Sequence, residues 1–546
     1  MHDLQVKSVA GRYSSLESHR HSFLERARDA SALTIPTLVP PEGHSGSTNY
    51  LTPYQSVGAR GVNNLASKLL MTLLPPNSPF FRLTIDDFDI EKIAGKDARG
   101  AVEEALARIE RASQSEIETS AVRVPTHEAL KQLIVGGNAL VYLPKEGGMK
   151  VYRLDRYVVK RDTMGNVMEI ITKESVSPMM LPEEARELLA TSENYEQTDT
   201  HNKSLDLFTY VCRKEKHWEV IQEVKGILIP SSRGTYPLDK NPFIPLRFTR
   251  IDGEDYGRGY VEEYIGDLRS LEALTRAIVE GAAASSKVLF LVRPNGTTKQ
   301  SILAKAPNGA IVQGDASDVT TLQVQKYNDF RVAQETGARI TERLSFAFLL
   351  NSAVQRQAER VTAEEIRFAA QELEAALGGV YSILSQEFQY PMVKLLLARL
   401  EAKGKMPKMP KDSIKPQITT GLEALGRGQD LNRLAQFLTY LQPLGPQIIA
   451  ENLNVEDYID RLGASLGIDT GGLIKTQEQK MMEMQAAQQA QQQAMGQQTM
   501  MKMAEKAAPQ IIEGMQEMDP AQMAAMGGGM PPEGAQPQGG QPPVQQ

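Results

Sequence analysis

Two long amphipathic patterns separated by a short polar segment constrain this chain more than any other feature. Between residues 330 and 400 apolar side chains recur at helical spacing. Ala333, Gly337, Ile340 and Leu344 mark one stripe; Ile366, Ala370, Leu373, Leu377, Val380, Leu384 and Phe388 mark a second. Stripes of this kind face a core. Between them lies NSAVQRQAER, Asn351 to Arg360, rich in amide and guanidinium groups. Thr362 followed by Glu365 reads as a capping box that sets the start of the second helix. The pattern predicts a polar loop held between two stiff elements. Gly378-Gly379 and Pro391 are the points where the second helix is expected to kink.

The rest of the chain divides by pattern. Residues 8 to 34 read as a helix with Tyr13, Leu16, Phe23 and Ala27 on one face, ended by Pro36, Pro40 and Pro41. A second helix is expected from Tyr54 to Leu74, with Val62, Leu65, Leu69 and Leu73 inward. Phe80 to Ile85 alternates like a strand, Ala98 to Ser120 is a charged helix, and Thr126 is a candidate N-cap for a helix closed by Gly136 and Gly137. From Ala139 to about Phe248 short β-type runs dominate, separated by turns such as Glu146-Gly147-Gly148. A long helix then runs from Gly257 to about Ser286, about 45 Å if unbroken, with Tyr264, Leu268, Leu271, Leu274 and Ile278 as its stripe. VLFLV, AIVQG and TLQVQ are strand signals beyond it. From Thr476 on, the chain holds 12 of its 22 methionines and no aromatic residue, so it cannot build an ordinary core; from Gly527 it should be disordered.

Composition excludes several function classes. Cys212 is the only cysteine, which rules out a disulfide scaffold and cysteine-based zinc sites. The seven histidines show no HExxH-type spacing. No apolar run approaches the roughly eighteen residues of a membrane span, and MHDLQVKSVAGRYSS has no apolar region of the signal-peptide type. No phosphate-binding GxxxxGK[ST] is present; Gly257-Arg258-Gly259 and Gly426-Arg427-Gly428 are only GxG fragments outside a βαβ pattern. Nothing proposes an enzyme or a cofactor. The net charge of −7 speaks against a protein that grips nucleic acid by neutralising phosphates.

ERLSFAFLLNSAVQR, ERVTAEEIR, LGGVYSILSQE, EDYGRGYVEEYIGDLRSLE (Glu254 to Glu272) and TTGLEALGRGQDL (Thr419 to Leu431) resemble the portal proteins, or head–tail connectors, of short-tailed, autographivirus-type tailed phages. The resemblance spans about residue 10 to residue 475. It implies a mixed α+β, mainly α portal fold with wing, stem helices, β-rich clip, tunnel loop and helical crown, closed into a ring, usually of twelve subunits. On that pattern residues 1–115 are the first part of the wing and 116–138 a stem helix leading to the clip. Residues 139–256 are the β-rich clip with adjoining wing strands, and 257–287 the main stem helix. Residues 288–402 are wing, with the tunnel loop near 346–361 and a long helix; 403–475 form the crown and 476–546 a largely disordered tail.

The resemblance also implies a role. The ring would sit at one capsid vertex of the virion, assembled in the host cytoplasm. It would pass double-stranded DNA inward and outward without an enzymatic activity or a cofactor of its own. Its partners would be other copies of itself, major capsid and scaffolding proteins, the terminase large subunit that hydrolyses ATP, a tail adaptor and internal core proteins, with no membrane involved. A conduit must let DNA slide, so the acidic charge then fits. Asn351, Gln355 and Gln357 would offer neutral hydrogen bonds to phosphate oxygens, and Arg356 and Arg360 cationic contacts; equally, these arginines would pair with Glu359 or Glu364 between subunits. Glu262, Glu263, Asp267 and Glu272 would line the stem, two of them facing the bore and the others pairing with Arg269, Arg276 or the next subunit. A tail adaptor, a scaffold or a nucleic-acid enzyme remain the alternatives.

Overall fold

The computed structural model describes residues 8–76, 80–84, 99–191, 204–285, 289–322, 327–350, 363–405, 417–420 and 427–445, with scattered residues beyond, up to 487. The chain divides into two compact units, Met1–Ile468 and Asp469–Gln546. In the second, the described residues 479 and 481–487 are helical. The first unit is mixed α and β, with helix the larger share. Among the described residues no helix is long and apolar enough to cross a membrane.

Helix α1 (Val9–Ala32) starts at Ser8, whose hydroxyl accepts from the Gly11 amide. Tyr13, Leu16 and Ala27 are buried as expected, but Leu24 rather than Phe23 completes the face, and Arg20 is buried with them. α2 (Val57–Leu73) buries Val62, Leu65, Leu69 and Leu73 completely. β1 (Phe81–Thr84) and the charged helix α3 (Arg99–Thr119) follow. α4 (Arg123–Gly136) begins before Thr126, so Thr126 is not its cap. The Thr126 hydroxyl instead donates to the Val122 carbonyl at 2.8 Å, a bond made one turn inside a helix. Pro125 sits in the first turn, where its missing N–H costs nothing. Gly137, at φ +73°, ends α4 with its amide on the Leu133 carbonyl.

Eight strands come next: β2 (Asn138–Tyr142), β3 (Lys150–Tyr152), β4 (Tyr157–Arg161), β5 (Val167–Val176), β6 (Leu205–Arg213), β7 (His217–Val224), β8 (Ile227–Pro237) and β9 (Phe243–Arg247). A short helix, α5 (Glu183–Thr191), interrupts them after β5. They form a three-stranded sheet in the order β3-β2-β9 and a five-stranded meander β4-β5-β6-β7-β8, antiparallel throughout. Lys225 and Gly226 both take positive φ between β7 and β8, which matches the right-handed strand twist. One face of the meander packs on α1, joining Val158, Ile171, Phe208, Tyr210 and Ile221 to Val9, Tyr13 and Leu16. Glu223 of β7 is fully buried at the start of that helix. It accepts from the Val9 amide at 2.5 Å, the Ala10 amide at 3.0 Å and the Ser8 hydroxyl at 3.0 Å, a carboxylate at the positive end of the helix dipole.

The long helix expected from Gly257 is broken. α6 (Tyr260–Glu263) ends at Tyr264, and α7 (Ile265–Ser285) runs on alone, about 32 Å long. Aromatic packing holds the break: the Tyr260 ring lies edge-on to Tyr264 and Phe348, and its hydroxyl donates to the Ala347 carbonyl at 2.9 Å. Of the expected stripe only Leu268 and Leu271 are buried. β10 (Leu289–Val292) pairs with β11 (Val319–Leu322), while the AIVQG segment forms no strand. α8 (Tyr327–Ala347) returns antiparallel to α7, with Arg343 on Asp267 at one end and Phe330 against Gly281 at the other.

α9 (Ala363–Ala376) and α10 (Val380–Leu384) are separated by Gly378 and Gly379, both at positive φ, so the expected interruption is there. α11 (Tyr390–Ala402) carries Pro391 in its first turn, after a π turn at Ser385–Gln389. The wider turn lets the chain continue past a residue that has no N–H to donate. β12 (Gln417–Thr420) pairs with β1, and α12 (Arg427–Leu441) follows. The largest core joins α2, α4, β2, β9, α6, the root of α7 and α8, and α9 to α11.

Candidate functional site

Two glycine-rich crossings set the geometry of the acidic helix. At the first, the α4–β2 turn meets the Gly257-Arg258-Gly259 segment. Asn138, buried, donates to the Gly136 and Gly257 carbonyls at 3.0 and 2.8 Å and accepts from the Gly257 amide at 2.7 Å. A side chain on Gly259 would stand 2.5 Å from the Val135 carbonyl, and one on Gly257 would stand 2.8 Å from Arg247 Cβ. The GxG is thus a backbone crossing, which only glycine allows, and no phosphate cradle. It places Arg258 between two acids, with Glu254 at 2.8 Å and Glu262 at 3.1 Å. The hydrogen bond that Arg258 donates to Glu254 is the main cause that raises its pKa.

The four expected stem acids have separate fates. Glu262 is shared by Arg258 and by Arg26 of α1, the latter at 3.3 Å. Asp267 takes Arg343 of α8 at 2.8 Å. Glu272 accepts the Tyr54 and Gln55 amides at 3.0 and 3.1 Å and so fastens the chain before α2 to α7. Arg269 and Arg276 were expected as partners of these acids. Instead Arg269 reaches Asp29 at 2.9 Å and Arg276 reaches Glu280 at 2.8 Å. Arg269 meets α1 instead, and Glu272, one turn from Arg276 just as Glu280 is, is taken up by the Tyr54 and Gln55 amides. Glu263 is exposed, and among the described residues no cation pairs with it. Partial burial and the adjacent Glu262 push its carboxyl above the usual range.

The second crossing holds the root of the polar loop. Asn351, Gln355, Arg356, Gln357, Arg360 and the capping residue Thr362 lie outside the described residues. The residues that lead into the loop are described. Phe348 is fully buried with its ring on Gly61 of α2, where an added Cβ would stand 2.5 Å away. Asn64 donates to the Phe348 and Leu349 carbonyls at 3.0 Å each, and Lys68 to the Leu349 carbonyl at 3.2 Å. Burial lowers the Lys68 pKa. Leu349 takes φ +52°, a strained backbone for a branched side chain. Sequence reasoning missed this anchor. Its one signal was Gly61, a poor helix former within a strong helical pattern, which points to a close approach.

Residues 6–474 match the profile of the family described as bacteriophage head to tail connecting protein. The portal protein of Escherichia phage T7 is 43% identical over 540 residues, covering 97% of both chains. The chain belongs to the portal protein family. The portal protein of Enterobacteria phage T3 is 46% identical over 86% of the chain and 88% of the relative, and that of Pseudomonas phage phiKMV 32% identical over 91% and 96%. Among solved structures, a gene transfer agent neck computed with C12 symmetry aligns over 62% of this chain and 89% of its own. Its TM-score of 0.28 and 10% identity are too slight to bear on the fold. Portal proteins are structural connectors and not enzymes. In this one the acids of the Glu254–Glu272 segment are engaged in ion pairs or backbone hydrogen bonds within the chain, Glu263 excepted.

Proposed function

We propose that twelve copies close into a ring at one capsid vertex, which serves as conduit and valve for double-stranded DNA during packaging and ejection. The ring nucleates head assembly, docks the packaging ATPase and later receives the tail. The portal-family match along residues 6–474 carries this reading. One structural feature supports closure with neighbours. From residue 272 to 339 no described hydrophobic side chain is buried, and Val279, Phe290, Leu291 and Val332 stand exposed. An arm that cannot cover its apolar groups within its own chain calls for partner surface.

With this reading goes a different domain assignment. α7 and α8 act as the two stem helices, and the clip is residues 286–326 between them. The strands of 139–256 belong to the wing. Two features support this: the antiparallel α7–α8 pair bracketing the β10–β11 hairpin, and the packing of the meander on α1. Glu263, on α6 just ahead of stem helix α7 in sequence, is the acid that repels DNA, while Glu262, Asp267 and Glu272 hold the fold. The segment Asn351 to Arg360 meets DNA, with Asn351, Gln355 and Gln357 as neutral donors and Arg356 and Arg360 as cationic collars. Class averages of purified particles test the reading. They should show closed rings with a lumen wide enough for a duplex; monomers or open filaments under every assembly condition overturn it.

A further inference from the structure

A basic cavity lies between the end of the meander, strand β9 and the π turn. It has a volume of about 420 Å³. Five of its lining residues are cationic, Arg161, Arg213, Arg247, Arg250 and Lys394, and two are acidic, Asp239 and Glu387. In a chain of net charge −7 this is a local reversal of sign. A smaller adjoining cavity shares Arg161, Gly165, Arg247 and Arg250 with it and adds Lys160, Asp162, Asp252, Glu254 and Asp255, so its charges balance and the positive excess belongs to the larger cavity.

The cations are poorly compensated. Arg247 is buried and pairs with Glu387 at 2.8 Å through one Nη, while its Nε and the second Glu387 oxygen have no hydrogen-bond partner. Arg161 is also buried, and its guanidinium donates only to the carbonyls of Asp255, Gly165 and Pro245, at 3.0 to 3.1 Å. Burial and the neighbouring Arg247 push it down to about 10. Such a group is short of negative charge. Two guanidiniums also converge. A Cβ on Gly165 would stand 3.1 Å from Arg250 Nη2 and 3.6 Å from Arg247 Nη2. Gly165, at φ +83°, keeps the space between them open. Lys394 lies over the Tyr390 ring at 4.4 Å, on the rim of the same cavity.

We infer that this cavity is an anion site for a phosphoryl group, held between the Arg247 and Arg250 guanidiniums over Gly165 and faced by Lys394. Forked guanidiniums match the tetrahedral oxygens of phosphate with paired, charge-assisted bonds. The phosphoryl group comes from free phosphate, from a nucleotide or from a nucleic-acid backbone.

Calorimetry on the full chain, at constant ionic strength, distinguishes these sources with three probes: inorganic phosphate, ATP without metal, and a short DNA duplex. Saturable binding of phosphate alone assigns free phosphate. ATP at least tenfold tighter than phosphate assigns a nucleotide, and a duplex that binds where the small anions do not assigns a backbone. In each case Arg250→Ala with Lys394→Ala, both away from the core, should weaken binding at least tenfold with the unfolding midpoint in the absence of ligand unchanged. Gly165→Ser provides a second check, since it fills the space between the guanidiniums and should abolish binding. The inference is overturned if none of the three probes shows saturable binding. It is equally overturned if the double variant binds like the parent.

Discussion

The body of the chain and its arm are held together by different physics. In the body, α1 lies on the meander with eight buried apolar residues between them, and the central core runs continuously from α2 through α11. The described residues of 272–339 have no such core. Their order comes from polar and steric devices: Asp318, whose carboxylate takes the Thr297 and Thr298 amides at 2.7 and 3.1 Å, and the fit of Phe330 against Gly281. Asp267–Arg343 ties the root. A body stabilised by burial folds without help, whereas an arm stabilised by a few hydrogen bonds gains its rigidity from what it packs against.

The largest expected effect breaks the body. Gly259→Ala forces a methyl group against the Val135 carbonyl. It should cost about 3 kcal/mol or more, seen as a lower urea midpoint for the whole unit; an unchanged midpoint would mean the crossing is loose. Next comes Glu223→Ala, which leaves the buried Val9 amide and the half-buried Ala10 amide without their acceptor. A loss of about 1–3 kcal/mol follows, read in the same assay, with faster hydrogen exchange at the start of α1.

The arm should respond locally. Thr298 and Thr297 hydrogen bonds hold the Asp318 carboxyl below the usual range. Its folded pKa is below the unfolded value, so its contribution is complete above the unfolded pKa of about 3.9 and is lost as pH falls through the folded pKa. Asp318→Asn at neutral pH, or acid in the parent, should speed amide exchange at Thr297 and Thr298 while β5 and β6 stay protected. Simultaneous loss of protection in the meander would erase the distinction between the two regions. The smallest stability effect belongs to Phe290→Ser. Phe290 is 63% exposed, so monomer stability should change by less than about 0.5 kcal/mol. Ring yield in sedimentation should nonetheless fall severalfold; equal yield would show that the arm needs no neighbour.

The helices were legible because their period is local. Val62, Leu65, Leu69 and Leu73 were correctly placed inward, as were Ala370 to Phe388. The Gly378-Gly379 break was legible for the same reason. Less visible were features set by contacts distant in sequence. Arg20 is buried because Tyr13 and the Tyr157 carbonyl, 137 residues away, accept from it. The break at Tyr264 depends on Phe348, and the cap of α1 depends on Glu223. Of the four stem acids, pattern alone could not separate Glu263 from the three that bind the fold.

Residue order by itself determined most helices and strands and their apolar faces, the unbroken helix from Gly257 and the AIVQG strand excepted, and, through long shared motifs, the family. Tertiary structure decided which acids are engaged, why three glycines meet at Gly137, Gly257 and Gly259, and that five cations share a cavity. The physical reason is range. Helical period and turn chemistry act over a few residues, while an ion pair between elements or a backbone crossing needs chain segments distant in sequence to meet within a few ångströms.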